Sequence, residues 1–288
     1  MASLQLEHEE IIDQSRTRSY YTRFSLGQRY LHGVVMTTFL GLALTGMVLR
    51  FSRSGWAASF AGVVGGFGAI LFWHKACAVI LSIAFLIHLG NVLYRGLVKR
   101  DKETFWGPNS MIPNLQDLKD LYGHFRWFFW RGPQPRFDHF AYWEKFDYWA
   151  VFWGMGIIGF SGYIMWFSTF FARLLPGSWL NIALLIHGEE ALLAVWFIFA
   201  IHFFNTHLRP GSFPMDLVIF TGSENDAEMK EKRSGEYQRL AQADQLATRK
   251  TVAPTRWLKN FGRTLGTVVI AIGFLLLWLT VASFLKGQ

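Results

Sequence analysis

The chain has 288 residues, of which 52% are hydrophobic and only 17% are charged. This composition is too apolar for a water-soluble chain of one or two domains, and it excludes an intrinsically disordered protein. Cys77 is the only cysteine, which excludes a disulfide scaffold, a covalently attached c-type haem and a thiolate-bound iron–sulfur or zinc centre. The net charge of +8 has no nucleic-acid-binding motif behind it, so we expect no nucleic acid partner.

Five apolar stretches are long enough to cross a bilayer as helices. In chain order they are Tyr30–Leu49, Ile70–Tyr94, Tyr148–Phe167, Leu180–Phe204 and Thr264–Leu285. The first has no small-residue cleavage site after it, so we expect it to be retained and not removed as a signal peptide. The sequence therefore predicts an all-α integral membrane protein, with a four-helix bundle and a fifth, C-terminal transmembrane helix.

Lys and Arg are distributed unevenly between the segments outside these spans. The N-terminal tail, the second loop and the linker before the fifth span carry 23 of them, against four on the opposite side. Because basic residues near span ends resist translocation, we expect a cytoplasmic N-terminus and an external C-terminus. The predicted divisions are a cytoplasmic tail (1–29), a four-helix domain (30–217) with a cytoplasmic loop (95–147), a polar cytoplasmic linker (218–263) and the fifth span (264–288).

The two long cytoplasmic segments differ in character. The loop 95–147 mixes Pro, Trp and Phe with charged residues, which is typical of an ordered segment lying on the membrane surface. The linker 218–263 is rich in Glu, Lys, Gln and Arg, which predicts a solvated helical or loose segment, or a surface for a cytoplasmic partner.

Six of the nine histidines lie in or at the ends of the apolar spans. His74 and His88 are fourteen residues apart in the second span, and His187 and His202 are fifteen apart in the fourth. On a helix these spacings rise about 21 and 22 Å and keep each pair within roughly 40–60° of one face. Both helices run in the same direction, so spacing and depth place His74 level with His187, and His88 level with His202. Two stacked b-type haems require two such pairs of facing imidazoles as their iron ligands, so the sequence predicts two haem sites.

Two further histidines lie near the inner ends of their spans. His32 follows Arg29 in the first span, and His207 precedes Arg209 in the fourth. His32 could replace His88 as the ligand opposite His202. Alternatively, His32 and His207 could bracket a quinone or a third haem, so the sequence predicts two or three haems.

Charged residues within a span are costly and are read as functional. Lys75 follows His74, and Glu189 and Glu190 follow His187. Lys75 could pair with a glutamate or with a haem propionate, and Glu190 is spaced to hydrogen-bond near His187. The alternative is that both glutamates lie at the membrane interface. Glycines in the first and third spans would leave room for a porphyrin, although small residues also serve ordinary helix packing.

The chain resembles the membrane cytochrome b subunits of formate dehydrogenase, nickel–iron hydrogenase and thiosulfate reductase, and related dihaem subunits encoded with multihaem cytochromes c. The resemblance covers about residues 23–217 and rests on RYLHGVVMTTFLGLALTGMVLRF, WHKACAVILSIAFLIHLGNVLYR, YWEKFDYWAVFWGMGIIGFSGYIMWF and IHGEEALLAVWFIFAIHFFNTHLRPGSFPMD. It implies that His74 and His187 hold an outer haem and that His32 and His202 share an inner one. His88 is not required by that ligand pattern, so the partner of His202 stays open between His32 and His88. The resemblance also implies a quinone, such as menaquinone, beside the inner haem near His32, His207 and the loop Asn109–Asn114.

These features predict an electron-transfer subunit of a quinone oxidoreductase complex in the bacterial plasma (inner) membrane, with no catalytic residues of its own. Electrons would pass between the quinone pool and a partner redox subunit of the respiratory chain, a cytochrome c or an iron–sulfur protein. One alternative is a transporter that uses the histidines as a proton relay; it would predict broken helices, yet no proline interrupts Leu31–Leu49 or Leu180–His207. The other alternative is a non-redox membrane anchor.

Overall fold

The computed structural model describes residues 19–209 and 211–287, so residues 1–18 of the predicted tail lie outside the described residues. Within the described part, five helices are long and apolar enough to cross a membrane. They are span 1 (Leu26–Arg50), span 2 (Phe67–Val98), span 3 (Tyr142–Trp166), span 4 (Ser178–Leu208) and span 5 (Arg256–Leu285). The predicted helical membrane architecture is confirmed, with three short strands as the only sheet among the described residues.

The helices extend beyond the apolar stretches from which the spans were predicted. Span 2 continues to Val98 and span 3 begins at Tyr142, so the loop between them covers 99–141 and not 95–147. Span 5 begins at Arg256, ahead of the predicted Thr264. Hydropathy marks where apolar residues stop, whereas helical hydrogen bonds continue through the polar residues of the interface.

The elements in chain order have the following bounds. They are β1 (Tyr20–Thr22), α1 (Leu26–Arg50), α2 (Gly55–Val64), α3 (Phe67–Leu93), α4 (Leu115–Phe128), α5 (Tyr142–Gly154), α6 (Phe160–Trp166), α7 (Ser168–Phe171), α8 (Ser178–Trp196), α9 (Val218–Thr221), β2 (Ser223–Asn225), α10 (Asp226–Lys232), α11 (Ser234–Gln242), α12 (Leu246–Arg249), β3 (Lys250–Thr251) and α13 (Arg256–Leu285). A single 3-10 turn covers Lys102–Thr104.

Local sequence signals explain where span 1 starts and how α2 ends. Ser25 caps span 1: its hydroxyl accepts from the Gln28 backbone N–H while the Gln28 side chain accepts from the Ser25 N–H. The helix α2, which the sequence analysis did not predict, is too short to cross a membrane. It ends at Gly65, whose φ of +109° only glycine adopts without strain, and its buried alanines pack with Val48 and Ile70.

Three of the spans contain π-helical turns, in which the backbone hydrogen bonds reach one residue further than in an α-helix. These turns are Tyr94–Val98 in span 2, Met155–Gly159 in span 3, and Phe197–His202 with Phe204–Leu208 in span 4. Such turns widen the helix, re-aim side chains and occur frequently at functional sites. Here they lie in span 2, which carries His88, in span 4, which carries His187 and His202, and in span 3, whose Ile158 carbonyl contacts His187.

Span 5 packs against spans 1 and 4 through small residues. A Cβ added at Gly273 would lie 2.7 Å from Phe199 Cδ1, so only glycine permits this approach of the helices. Phe199 is buried in the largest hydrophobic cluster, together with Met47 of span 1 and Leu276 of span 5. The indole N–H of Trp56 in α2 donates to Ser283 Oγ at 2.9 Å, which ties α2 to the end of span 5.

The N-terminal strand and the polar linker fold together at one end of the bundle. Strand β1 pairs antiparallel with both β2 and β3, in the order β2-β1-β3. Tyr21 of β1 packs with Met229 and Leu240 of the linker in a buried cluster. The linker is helical, as one sequence alternative had it, but it is not solvated throughout because these residues are buried. We call β1 with residues 99–141 and 211–255 the cap, the adjacent end of the bundle the cap end, and the opposite end, beside α2, the far end.

Candidate functional site

Spans 1–4 enclose one continuous cavity of about 2590 Å³. This is several times the volume of an ordinary ligand pocket, which is about 300–1,000 Å³. Six histidines from three spans line it: His32, His74, His88, His187, His202 and His207. The walls between them are mostly apolar and aromatic, so the cavity suits a large, flat, apolar molecule with a few polar anchoring points.

At the far-end level, spans 2 and 4 bring His74 and His187 together. Their ring centroids are 6.2 Å apart and the ring planes are inclined by 75°. Two metal–imidazole bonds of about 2.0 Å each, on opposite sides of one ion, separate the ring centroids by roughly 6 Å. The separation of the two rings therefore matches that of two imidazoles that would bind a single metal ion between them.

Hydrogen bonds at Nδ1 fix the orientation of both rings. His74 Nδ1 lies 2.9 Å from Thr45 Oγ1, and His187 Nδ1 lies 2.9 Å from the carbonyl oxygen of Ile158. The Thr45 hydroxyl donates its own proton to the Gly41 carbonyl, so it accepts from His74. Ile158 belongs to the π-helical turn of span 3, where the widened backbone presents its carbonyl sideways. With Nδ1 as the donor on each ring, Nε2 carries the lone pair that binds a metal.

Two glycines make room for these rings. A Cβ built on Gly46 of span 1 would lie 3.3 Å from His74 Cε1, and one on Gly162 of span 3 would lie 3.0 Å from His187 Cε1. Both distances are shorter than ordinary side-chain contacts, so a larger residue would push the imidazole away. Of the glycines noted in these two spans, Gly46 and Gly162 are the ones that contact the histidine rings.

At the cap-end level, His202 of span 4 is held by a carboxylate. Its Nδ1 lies 2.9 Å from Asp147 Oδ2, and the Asp147 side chain is 13% exposed. His32 of span 1 and His207 of span 4 line the same cavity as His202. The Nδ1 atom of His207 is buried and has no hydrogen-bond partner among the described residues. Three imidazoles and one carboxylate thus converge on the cap end of the cavity.

His88 has a different set of contacts from those that the spacing argument expected. Its Nε2 lies 2.9 Å from the Tyr148 hydroxyl, and its ring packs against Tyr148 and Phe152 of span 3. Depth alone matched His88 with His202, but depth does not specify the rotation of a helix about its axis. In the structure the Nε2 of His88 meets the Tyr148 hydroxyl, and His32 lines the cavity together with His202.

The charged residues at the far-end level do not pair with one another as the sequence suggested. Lys75 stacks over the Trp166 ring, with its Nζ 5.0 Å from the ring centroid, and forms no ion pair with a glutamate of the described chain. Glu189 pairs instead with Arg50 of span 1 at 2.8 Å, and its side chain is 55% exposed. Glu190 accepts a hydrogen bond from Trp153 Nε1 at 3.2 Å. Lys75 and Glu190 both line the cavity, where either can meet a polar edge of a bound molecule.

Sequence reasoning missed the residues that hold the imidazoles. Thr45, Asp147 and Tyr148 were not singled out, because no local motif links a threonine or an aspartate to a histidine on another helix. The sequence position of Asp147 could have marked it as functional. It is an acidic residue beside the start of the predicted third span, and charged groups in such positions are commonly functional.

A buried ionic network closes the cap over the cavity. Glu236 of α11 accepts from His139 Nδ1 at 2.6 Å and also pairs with Arg233, while Arg23 pairs with Glu144 at 3.2 Å. Burial lowers the pKa of His139 to about 4, reinforced by the charge of Arg23. Burial works to raise the pKa of Glu236, but the hydrogen bond from His139 and the nearby arginines outweigh it and bring the pKa to about 2. His139, one of the three histidines outside the apolar spans, is therefore a buried neutral donor to an ionised glutamate.

The donor set and the cavity fit haem. A haem iron takes its equatorial ligands from the porphyrin and needs only axial imidazoles from the protein. The pair His74 and His187 would supply two, and hydrogen bonds at Nδ1 already orient both rings. The glycines facing those rings and the apolar walls accommodate the flat ring system. Arg209 at the cap end, whose guanidinium lies over the Trp143 ring, lines the same cavity and offers a cation to a carboxylate group.

A family model described as prokaryotic cytochrome b561 matches residues 23–207, which is well over half of the chain. No curated protein matches the sequence of this chain. The matched region includes the six cavity histidines that belong to the spans, and it covers the four helices that enclose them. The five apolar helices and this match identify a multi-pass prokaryotic membrane protein. The chain belongs to the prokaryotic cytochrome b561 family, whose members transfer electrons across membranes through b-type haems.

Proposed function

We propose that the chain is a dihaem subunit that conducts electrons between a quinone at the cap end and a partner redox protein at the far end. The observation that carries this proposal is the placement of histidines at two levels of one continuous cavity. Residues His187 and His202 of span 4 are separated by a helical rise of about 22 Å, so the two levels lie in opposite halves of the membrane. When bound, b-type haem supplies an iron that accepts and gives up single electrons.

The outer haem is assigned to His74 and His187. Their separation suits one shared iron, and Thr45 and the Ile158 carbonyl hold both rings in the same tautomer. Lys75 and Glu190 line the cavity at the same level, where Lys75 can neutralise a propionate. These residues bind and orient, and no proton transfer is required of them.

The inner haem is assigned to His32 and His202, with Asp147 orienting His202. His32 and His202 line one cavity, whereas the Nε2 of His88 is engaged by Tyr148. Replacing His32 with alanine should therefore remove the inner haem's spectrum, and replacing His88 should preserve it. Loss of the inner haem in the His88→Ala protein alone would show that span 2 supplies the ligand instead. His207, with its buried and unpartnered Nδ1, is left for a quinone contact in a two-haem protein.

The quinone site is assigned to the cap end of the cavity. A quinone needs hydrogen-bond donors at its carbonyl oxygens and apolar walls around its ring and tail. The cavity wall there includes His207, Asn109 and Met111, the last two from the loop that the family resemblance associates with quinone. The Trp149 indole N–H donates to the Met111 carbonyl at 3.0 Å and fixes this loop against span 3. A menaquinone or another isoprenoid quinone matches this chemistry.

The asymmetry of basic residues supports a cytoplasmic cap, an external far end and residence in the bacterial inner membrane. The helix α4 of the cap supports its contact with the membrane surface, because Leu118, Tyr122 and Phe125 are 57–66% exposed on one side. The partner is then an external redox protein, a cytochrome c or an iron–sulfur protein, that docks beside the outer haem. The chain would work as one subunit of a respiratory quinone oxidoreductase complex.

The proposal is tested on the purified chain by reduced-minus-oxidised spectroscopy, haem-to-protein stoichiometry and reduction by a soluble quinol analogue. We expect a b-type spectrum, two haems per chain and quinol-dependent reduction of both. A ratio of three would assign His207 to a further haem. Absence of a b-type band would overturn the electron-transfer function, and haem that quinol cannot reduce would overturn the quinone site alone.

A further inference from the structure

The pair formed by His88 and Tyr148 is unused by the haem assignments. His88 lies within an otherwise apolar span, where an ionisable residue is costly unless it has a role. Its Nε2 and the Tyr148 hydroxyl are 2.9 Å apart, and both side chains line the cavity. A hydrogen-bonded imidazole and phenol facing a cavity can exchange a proton in either direction.

The pair involves the turn of span 3 that also contacts the inner histidine group and the proposed quinone loop. Tyr148 directly follows Asp147, which holds His202, and directly precedes Trp149, which binds the Met111 carbonyl of the loop. One turn of span 3 therefore contacts the inner histidine group, His88 and the loop. A quinone lying in the cap end of the cavity would meet the Tyr148 hydroxyl on this turn.

Polar side chains follow His88 along span 2 toward the cap. Asn91 and Arg95 follow His88 on the same face of span 2, and both are exposed and line the cavity. Arg95 pairs with Asp101 at 2.7 Å, and Glu103 accepts from Asn109 at 2.7 Å. Since His88 is ten residues before the end of span 2 at Val98, it lies about 15 Å from that end. These groups are the charged and polar side chains along the route between His88 and bulk water on span 2 and the adjoining loop.

We propose that Tyr148 and His88 form the proton-exchange pair of the quinone site. In quinone reduction, two electrons arrive one at a time along the electron-transfer path, and each carbonyl oxygen of the quinone gains a proton. Tyr148 gives its hydroxyl proton to one of these oxygens, His88 returns a proton to the phenolate, and water at the cap surface restores the proton of His88. The second oxygen takes its proton directly from water that enters the cap end of the cavity. Quinol oxidation runs the same steps in reverse. This inference rests on the proposed quinone site at the cap end.

The test uses the haem-loaded chain in proteoliposomes with a soluble quinol analogue as the electron donor. Tyr148→Phe removes the hydroxyl and keeps the ring that packs on Phe152, and His88→Gln keeps a hydrogen-bonding group without a titratable one. The matched control is Tyr163→Phe, another tyrosine of span 3 in the cavity wall, whose hydroxyl binds Ser82 at 2.8 Å.

We expect both test variants to retain wild-type haem content and haem potentials. The rate of quinol-driven haem reduction should fall about 100-fold, with a flattened pH profile and little change in KM, because general acid–base groups contribute about 10²–10⁴-fold. The control should keep the wild-type rate. Reduction by dithionite should be unchanged in every variant, since it does not use the quinone site.

Three results would overturn this inference. The first is a wild-type rate and pH profile in both test variants. The second is loss of the inner haem from the His88→Gln protein, which would make His88 an axial ligand. The third is an equal loss of rate in the Tyr163→Phe control, which would reduce the effect to general helix packing. If the wild-type chain carries haem but takes no electrons from any quinol, the quinone site itself fails, and that result is distinct from the other three.

Discussion

Substituting Asp147 with asparagine should raise the midpoint potential of the inner haem and leave that of the outer haem unchanged. Asp147 Oδ2 accepts a hydrogen bond from His202 Nδ1 at 2.9 Å, in a partly buried setting. A carboxylate in this position makes the opposite ring nitrogen a stronger electron donor, which stabilises ferric over ferrous iron. Asparagine retains an accepting oxygen but removes the negative charge, so the ferric state loses part of that stabilisation.

The size of the shift follows from the change in hydrogen-bond strength. Hydrogen bonds to charged groups contribute about 1.5–3 kcal/mol, against about 0.5–1.5 kcal/mol for neutral pairs, so the difference is roughly 1.4 kcal/mol. If the ferric state alone bears this difference, the potential of a one-electron couple rises by about 59 mV. The 13% exposure of the Asp147 side chain lets solvent screen part of the charge. We therefore expect a rise of roughly 30–60 mV.

The assay is a potentiometric titration of the purified protein, followed in the visible haem bands of both centres. Thr45→Val is the matched control, because it removes a neutral hydrogen bond from the outer ligand His74. It should move only the outer haem, and by less than Asp147→Asn moves the inner one. Wild-type potentials in the Asp147→Asn protein, or a shift confined to the outer haem, would refute the assignment of His202 and Asp147 to the inner site.

Two further predictions concern the outer haem and the cap. Gly162→Val should displace His187 and release the outer haem, because an added Cβ would lie 3.0 Å from the imidazole. The haem content per chain should then halve. The control Gly156→Ala has open space around its Cβ and should retain both haems. Retention of both haems by Gly162→Val would contradict the site geometry. Lowering the pH from about 6.5 to about 4 should loosen the cap, because the pKa of His139 in the folded protein is depressed to about 4. As the pH drops through this window, the unfolded chain binds a proton at His139 before the folded chain does, so the free energy of unfolding decreases. Hydrogen exchange of α11, corrected for its intrinsic pH dependence, measures this loss; Glu236→Gln should exchange faster already at pH 7, and a flat profile in the wild type would argue against the network.

The cap is an example of structure that local sequence patterns cannot predict. Strand β1 pairs with residues more than 200 positions away in the chain, at Ser223–Asn225 and Lys250–Thr251. Each strand is two or three residues long and has no period of its own. The contacts of Glu236 with His139 and Arg233 join segments whose polar sequences predict exposure to solvent. Their burial could not be predicted, because it depends on which other segments pack against them.

Hydropathy and helical spacing determined the membrane architecture from the sequence alone. A stretch of about 20 apolar residues must form its own hydrogen bonds in lipid, so the five spans could be read without tertiary information. Fixed helical rise likewise predicted that His74 and His187 lie at one level, and the structure places their rings 6.2 Å apart. The small residues facing these rings, Gly46 and Gly162, were also visible as part of the glycine content of spans 1 and 3.

Only the tertiary structure decided which groups at the cap end face one another. The rise along a helix gives depth, but the rotation and tilt of neighbouring helices decide which side chains meet at that depth. For this reason the Nε2 of His88 meets the Tyr148 hydroxyl, a contact that spacing did not predict, because spacing favoured His88 and His202 as a pair. The same limit hid Asp147, whose importance arises entirely from a contact with another helix. Depth is encoded along one chain segment, whereas orientation is a property of the packed bundle.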